Sequence, residues 1–140
     1  MALLDVFSDE WCQEWKKRVN ANQAFVKYNK GWKGDLSGII QADPDNNFPE
    51  ERYLYLHFHD GSCLDVKMIT KKEAEKCAFI LKGAYIRWYQ IAKGELDAVK
   101  AMMQGKLKLK GNLPYVVKYV KGVQESIRSM REIETKFPNE

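Results

Sequence analysis

The chain has 140 residues, one domain's length, able to bury roughly 70% of its unfolded surface, so its stability needs neither disulfides nor a metal. With 45% hydrophobic and 12% aromatic residues it is too rich in core-forming side chains for a disordered protein, while its longest apolar stretches fall far short of the roughly 20 residues that cross a bilayer. The net charge of +4 is uneven: residues 105–140 carry 8 basic and 4 acidic groups where residues 34–104 carry 9 and 11, which suits an anionic partner or simply a solvated Lys-rich helix face.

Met1 to Phe7 has neither a basic n-region nor a long apolar h-region, so no secretory leader is expected. Asp9 is placed to cap a helix from about Glu10 to Tyr28 that gathers Trp11, Trp15, Val19 and Phe25 near one face. Gly31 and Gly34 interrupt it, Leu36 to Ala42 reads as a strand, and Asp43-Pro44-Asp45-Asn46-Asn47 as a loop. Arg52–His59 and Cys63–Ile69 meet at Asp60-Gly61 as a hairpin. A two-residue turn would oppose Phe58 to Cys63 and Leu56 to Asp65, mixing apolar and polar sets. A three-residue turn opposes Phe58 to Leu64, Leu56 to Val66 and Leu54 to Met68, and a one-residue slip exchanges the faces, so the pattern selects the longer loop. The other face, with Tyr53, Tyr55, His57, Asp65 and Lys67, is expected to be wet.

Thr70-Lys71-Lys72-Glu73 reads as a capping box and Ala78 to Ala84 as a fourth strand. Tyr85–Lys93 and Leu96–Gln104 are helices stopped by Gly94 and Gly105. Lys106 to Lys110 alternates strictly, turning Leu107 and Leu109 inward and three lysines outward. From Asn112, an N-cap, one long helix is predicted over about 113–137: Leu113, Val120 and Ile127 repeat every seven residues, as do Val116, Val123, Met130 and Phe137, with Gly122 positioned to bend or divide it. The stripe must cover something, either the chain's own core or a second copy in a homodimer. The element order implies a single α+β domain over 1–140: a five-stranded, mostly antiparallel sheet with helices packed on one face.

Trp88, Gly94-Glu95-Leu96-Asp97, Ala101-Met102-Met103 and Gly105-Lys106-Leu107-Lys108-Leu109-Lys110-Gly111-Asn112 together resemble the signature of the sterol carrier protein type-two family, the non-specific lipid-transfer domain. Over roughly residues 10–120 the element order is similar too. The resemblance implies an apolar tunnel between sheet and helices, no catalytic residues and no cofactor. It departs in two places: the chain ends Phe137-Pro138-Asn139-Glu140, which is not a peroxisomal address, and its terminal helix runs beyond the usual end of such a domain.

The tunnel would be lined by Ile40, Leu56, Phe58, Leu64, Val66 and Met68 from the first strands, and by Phe79, Leu81, Trp88, Met102, Met103 and Leu109 from the later elements. The same side chains could equally fill a closed core, since an alternating strand looks identical in both cases. Soft methionines suit a wall that adapts to different chains. The expected partners are a fatty acid, a fatty acyl-CoA or another apolar, sterol-like lipid, with transient anionic membrane contact through the lysines and no nucleic acid, for which no reader motif appears. His57-x-His59 places both imidazoles on one strand face with Asp65 or Cys63 opposite, a fragment of a metal site short of a third ligand, so exposed histidines without metal are expected. No nucleophile elbow or phosphate loop is present. Cys12, Cys63 and Cys77 are odd in number and widely spaced, which fits reduced thiols and a cytoplasmic location.

Overall fold

The computed structural model describes residues 3–140. After a short strand β1 (Leu4–Asp5), helix α1 (Asp9–Ala21) begins one residue earlier than expected, because Ser8 rather than Asp9 is the cap: its hydroxyl accepts the Trp11 N–H at 3.2 Å, leaving Asp9 and Glu10 to complement the dipole in the first turn. The predicted single helix divides at Asn22. Its side-chain oxygen takes the Phe25 N–H at 3.0 Å and so caps a new helix, α2 (Gln23–Tyr28), while its amide nitrogen reaches Ser129 at 2.9 Å. Asparagine competes with the backbone for hydrogen bonds, and here it redirects the chain.

Strands β2 (Asp35–Gln41), β3 (Arg52–His59), β4 (Ser62–Met68), β5 (Phe79–Ala84) and β6 (Lys108–Lys110) form a five-stranded sheet in the order β4-β3-β2-β5-β6, antiparallel except for the parallel β2–β5 pair. The hairpin contains both registers. At its tip Asp60 (φ 47°) and Gly61 (φ 84°) make a two-residue turn with left-handed backbone at both positions, opposing His59 to Ser62 and Phe58 to Cys63. A bulge between His57 and Phe58 then restores the pairs Leu56–Val66 and Leu54–Met68. The extra residue is Leu64, which the bulge leaves 48% exposed while Cys63 takes the buried position. The pairing of Phe58 with Leu64 is therefore corrected to Phe58 with Cys63.

Helix α3 (Lys71–Ala74), held by the predicted capping box, lies against the face expected to be wet. There Ile39, Ala74, Cys77 and Ile80 form a small separate core, and the Ser37 hydroxyl donates to the Ala74 carbonyl at 2.8 Å. The remaining helices cover the opposite face: α1, α2, α4 (Tyr85–Ala92), α5 (Ala98–Met103), α6 (Leu113–Lys118) and α7 (Val120–Arg131). The loop after β2 supports α4, since the Asp43 carboxylate accepts the Ile86 N–H at 3.1 Å where Ala84 offers no side-chain cap.

The long terminal helix predicted over 113–137 is two helices and a strand. It breaks at Tyr119 (φ −104°, ψ 25°), whose ring is buried against Trp32 and Tyr115 at centroid distances of 5.3 and 5.1 Å, and not at Gly122. Gly122 instead lets α7 approach α2: a Cβ there would sit 2.6 Å from the Asn29 side-chain oxygen. The helix ends at Arg131, whose guanidinium donates twice to the Ile91 carbonyl, at 2.9 and 3.2 Å. The tail then pairs through β7 (Thr135–Lys136) in parallel with β1, the Leu4 and Val6 N–H groups donating to Glu134 and Lys136. The seven-residue stripe is turned inward on the chain's own core: Val116 and Phe137 are buried, and Leu113, Val123, Ile127 and Met130 pack against the main cluster.

The tail is fastened at its end by charge. Glu140 accepts from Lys93 at 2.7 Å and from the Tyr89 hydroxyl at 2.7 Å, and these partners hold its carboxyl below the usual range. A carboxyl lowered in the folded state adds stability above about pH 4.5 that is lost as the pH falls through its folded value. Acidification is thus expected to lower the amide protection factors of residues 133–140 selectively, which a pH series of hydrogen-exchange measurements referred to the intrinsic rate at each pH checks.

Candidate functional site

Inward-facing residues of β2, β3 and β5 form the floor of a cavity: Leu36, Gly38, Leu54, Leu56, Phe58 and Leu81. Leu56 and Leu81 are only half-buried although they lie on the helix-covered face, because they border open space rather than side chains. Trp88 of α4 lies over Gly38, where a Cβ would come within 3.0 Å of its ring, and it is pinned by an indole N–H bond to the Gly83 carbonyl at 3.0 Å. The helical wall comes from Trp11 and Trp15 of α1, from Val123, Ile127 and Met130 of α7, and from Phe137 of the tail, which meets Tyr89 edge-on at 5.1 Å.

The cavity measures about 100 Å³. An apolar cavity of about 150 Å³ holds a benzene molecule, so the space as it stands is smaller than an acyl chain and the helical wall must move outward to admit one. No Asp, Glu, Lys, Arg or His is among its lining residues. The polar groups nearby are mostly satisfied elsewhere: Tyr85 donates to the Asn139 side chain at 2.7 Å, Trp15 to the Ser126 carbonyl at 2.8 Å, and the Ser126 hydroxyl to the Val123 carbonyl at 2.7 Å.

Of the twelve side chains expected to line a tunnel, Leu56, Phe58, Leu81, Trp88 and Met102 border the cavity. Ile40, Val66 and Phe79 are buried in the same core but fill it, Phe79 lying 4.9 Å from the Trp32 ring, and Met68 and Leu109 pack half-buried at its margin. Leu64 and Met103 do not face the interior at all: Leu64 is the bulge residue, and Met103, at the end of α5, is 67% exposed because Met102 takes the inward position. The sequence reading missed the walls from Trp11, Trp15, Trp32 and Asn29, although Val123, Ile127, Met130 and Phe137 all belonged to the stripe it recognised.

His57 pairs opposite Asp65 and His59 is exposed beside the turn, while Cys63 is buried on the other side of the hairpin. Among the described residues no three His, Cys, Asp or Glu side chains come together as a metal site. Replacing both histidines with Gln is expected to change stability by no more than about 0.5 kcal/mol and leave the fold intact, which denaturant titration and circular dichroism check. Burial pushes the Cys12 and Cys63 thiols up to about 12 and raises that of Cys77. None of the three is a thiolate at neutral pH.

The same fold is found in a sterol carrier protein 2 crystal structure, 27% identical, with a TM-score of 0.81 over 92% of this chain and 99% of that one. A conserved hypothetical protein of Thermus thermophilus, described as possibly a sterol carrier protein, is 25% identical with a TM-score of 0.82 over 97% and 94% of the two chains. Aedes aegypti sterol carrier protein 2, determined in complex with the C16 fatty acid palmitate, is 15% identical with a TM-score of 0.55 over 90% and 98%, a likeness of fold alone. No curated protein sequence matches. Residues 30–123, about two-thirds of the chain and including β2, β3, β5 and most of the residues that line the cavity, match the SCP-2 sterol transfer family, and the chain belongs to that family.

Proposed function

We propose that the protein binds and carries apolar lipids, such as a fatty acid, a fatty acyl-CoA or a sterol-like molecule, in the space between sheet and helices, without chemical conversion. The observation that carries this reading is the cavity without a single charged lining residue, in a member of a sterol-transfer family. Its chemistry favours capture over catalysis. Burying about 15 methylenes at about 0.8 kcal/mol each gives at most ~12 kcal/mol before ordering costs, whereas one methylene more or less changes only ~0.8 kcal/mol. Affinity comes readily and chain-length discrimination does not, as a carrier requires. The three protonated thiols offer no nucleophile.

Loading a lipid separates the helical wall from the sheet. The tail, which supplies Phe137 to that wall, is tied by the two-residue β1–β7 pair, the Tyr85–Asn139 hydrogen bond and the Lys93–Glu140 bridge. The exposed Lys106 and Lys108 share a shallow surface hollow with Lys82 and Arg87 and no acidic residue, which gives the carrier a cationic face toward anionic membranes.

The reading is tested with delipidated protein and a fluorescent fatty-acid analogue. Saturable binding at micromolar or lower concentration, reversed by unlabelled lipids of several chain lengths, is expected. Absence of saturable binding by the folded protein would overturn it.

A further inference from the structure

One of the cavity-lining residues carries a polar group without a partner. Asn29, at the end of α2, is 2% exposed, and its side-chain nitrogen Nδ2 is buried without any hydrogen-bond acceptor. Its backbone is fully engaged, the N–H donating to Phe25 at 2.9 Å and the carbonyl accepting from Trp32 at 3.1 Å, so only the carboxamide is unspent. Gly122 of α7 packs closely on that carboxamide: a Cβ there would come within 2.6 Å of its oxygen. A buried donor without an acceptor is costly, and a leucine of similar size would remove the cost. The serines and tyrosines that also line the cavity, Ser37, Tyr85, Tyr89 and Ser126, all spend their hydroxyls on partners within the chain, so the unpaired Asn29 amide is explained by something that enters the cavity.

We infer that Asn29 is the polar recognition point of the cavity, and that the preferred cargo is an apolar molecule with one neutral oxygen, an alcohol or ester, bound with that oxygen inside against the Asn29 carboxamide. This rests on the lipid-binding reading above and narrows it to a ligand class and an orientation. Neutrality follows from the lining. With no cationic side chain on the wall, a carboxylate drawn in beside one amide would be a buried, unpaired charge, whereas an alcohol or ester oxygen accepts one hydrogen bond and needs no more. A fatty acid would leave its carboxylate in water at the mouth and Asn29 unpaired.

The experiment compares 1-decanol, decane and decanoate at pH 8 on the full, delipidated chain. Occupancy is read from tryptophan fluorescence, since Trp11, Trp15, Trp32 and Trp88 all line the cavity. Asn29→Leu is expected to shift the ratio of decanol to decane affinity toward decane by about ten-fold or more, and to raise the melting temperature of the empty protein. In the wild-type chain, where no question of folding arises, the Asn29 carboxamide proton resonances are expected to move with decanol and to stay in place with decane and decanoate. If both neutral probes bind but the resonances and the ratio do not move, a role for Asn29 is refuted while lipid binding stands. A decanoate shift equal to that of decanol would overturn the preference for a neutral oxygen. If none of the three binds, the inference fails together with the reading beneath it.

Discussion

Trp32→Ala is expected to lower the unfolding free energy by about 3–5 kcal/mol, the range for deleting a large aromatic from a core. Trp32 is 1% exposed and joins elements far apart in the chain: its ring lies 4.9 Å from Phe79 of β5, 5.0 Å from Tyr115 of α6 and 5.3 Å from Tyr119 at the α6–α7 break. Its indole N–H is satisfied by the Gly34 carbonyl at 2.8 Å, which fixes the turn leading into β2. Alanine would lose these ring contacts together. The vacated space would open onto the existing cavity, which Trp32 also lines, so collapse around it is limited. Urea denaturation measures the cost, and a loss below about 1 kcal/mol would show that the cluster does not hold the two halves of the chain together.

Leu56→Asp should have the largest effect on ligand binding, a loss of a hundred-fold or more. Leu56 borders the cavity from the middle of β3, where no lining cation could pair with a carboxylate. A charge at that position must be desolvated by an incoming chain or be protonated, and either costs several kcal/mol. Because the substitution also strains the fold, circular dichroism and a companion variant accompany it. Leu64→Asp changes the same residue type on the adjacent strand, but at the exposed bulge, and is expected to leave stability and lipid affinity nearly unaltered. Equal losses in the two variants would mean that binding does not occur on the inner face.

How far the fold was legible in the sequence differs by element, for identifiable reasons. β-rich runs bounded by turn residues located β2, β3, β4 and β5 to within a residue or so, although β2 is buried on both faces and carries no alternation of its own. The hairpin defeated a single-register reading because the chain satisfies both constraints, a favoured two-residue turn at Asp60-Gly61 and apolar pairing further along, with Leu64 as the displaced residue. Asn22 and Tyr119 divide helices that periodicity alone runs straight through. What stops them is an amide that prefers to cap and a ring that prefers the Trp32 cluster, and neither preference has a period. The β1–β7 pair joins residues 4–5 to 135–136 by main-chain bonds, which leave no local trace.

For the candidate site, the stripe from Val123 to Phe137 announced a surface that had to be covered, and it forms much of the helical wall. The division of apolar residues between core and cavity was not legible: Ile40 and Leu56 look alike in a sequence, and only the helices above decide that one is enclosed and the other faces open space. Asn29 was overlooked because a lone asparagine after a helix reads as an ordinary cap or turn residue.

The claim that the space between sheet and helices is where a lipid is held is tested most directly by methyl-resolved NMR of the delipidated protein titrated with palmitate. The cavity-lining methyls of Leu56, Leu81, Val123, Ile127 and Met130 are expected to shift together and saturably, while those of the exposed Leu64 and Met103 stay in place. Saturable shifts confined to Leu64, Met103 or other surface methyls, with the interior set unmoved, would contradict it.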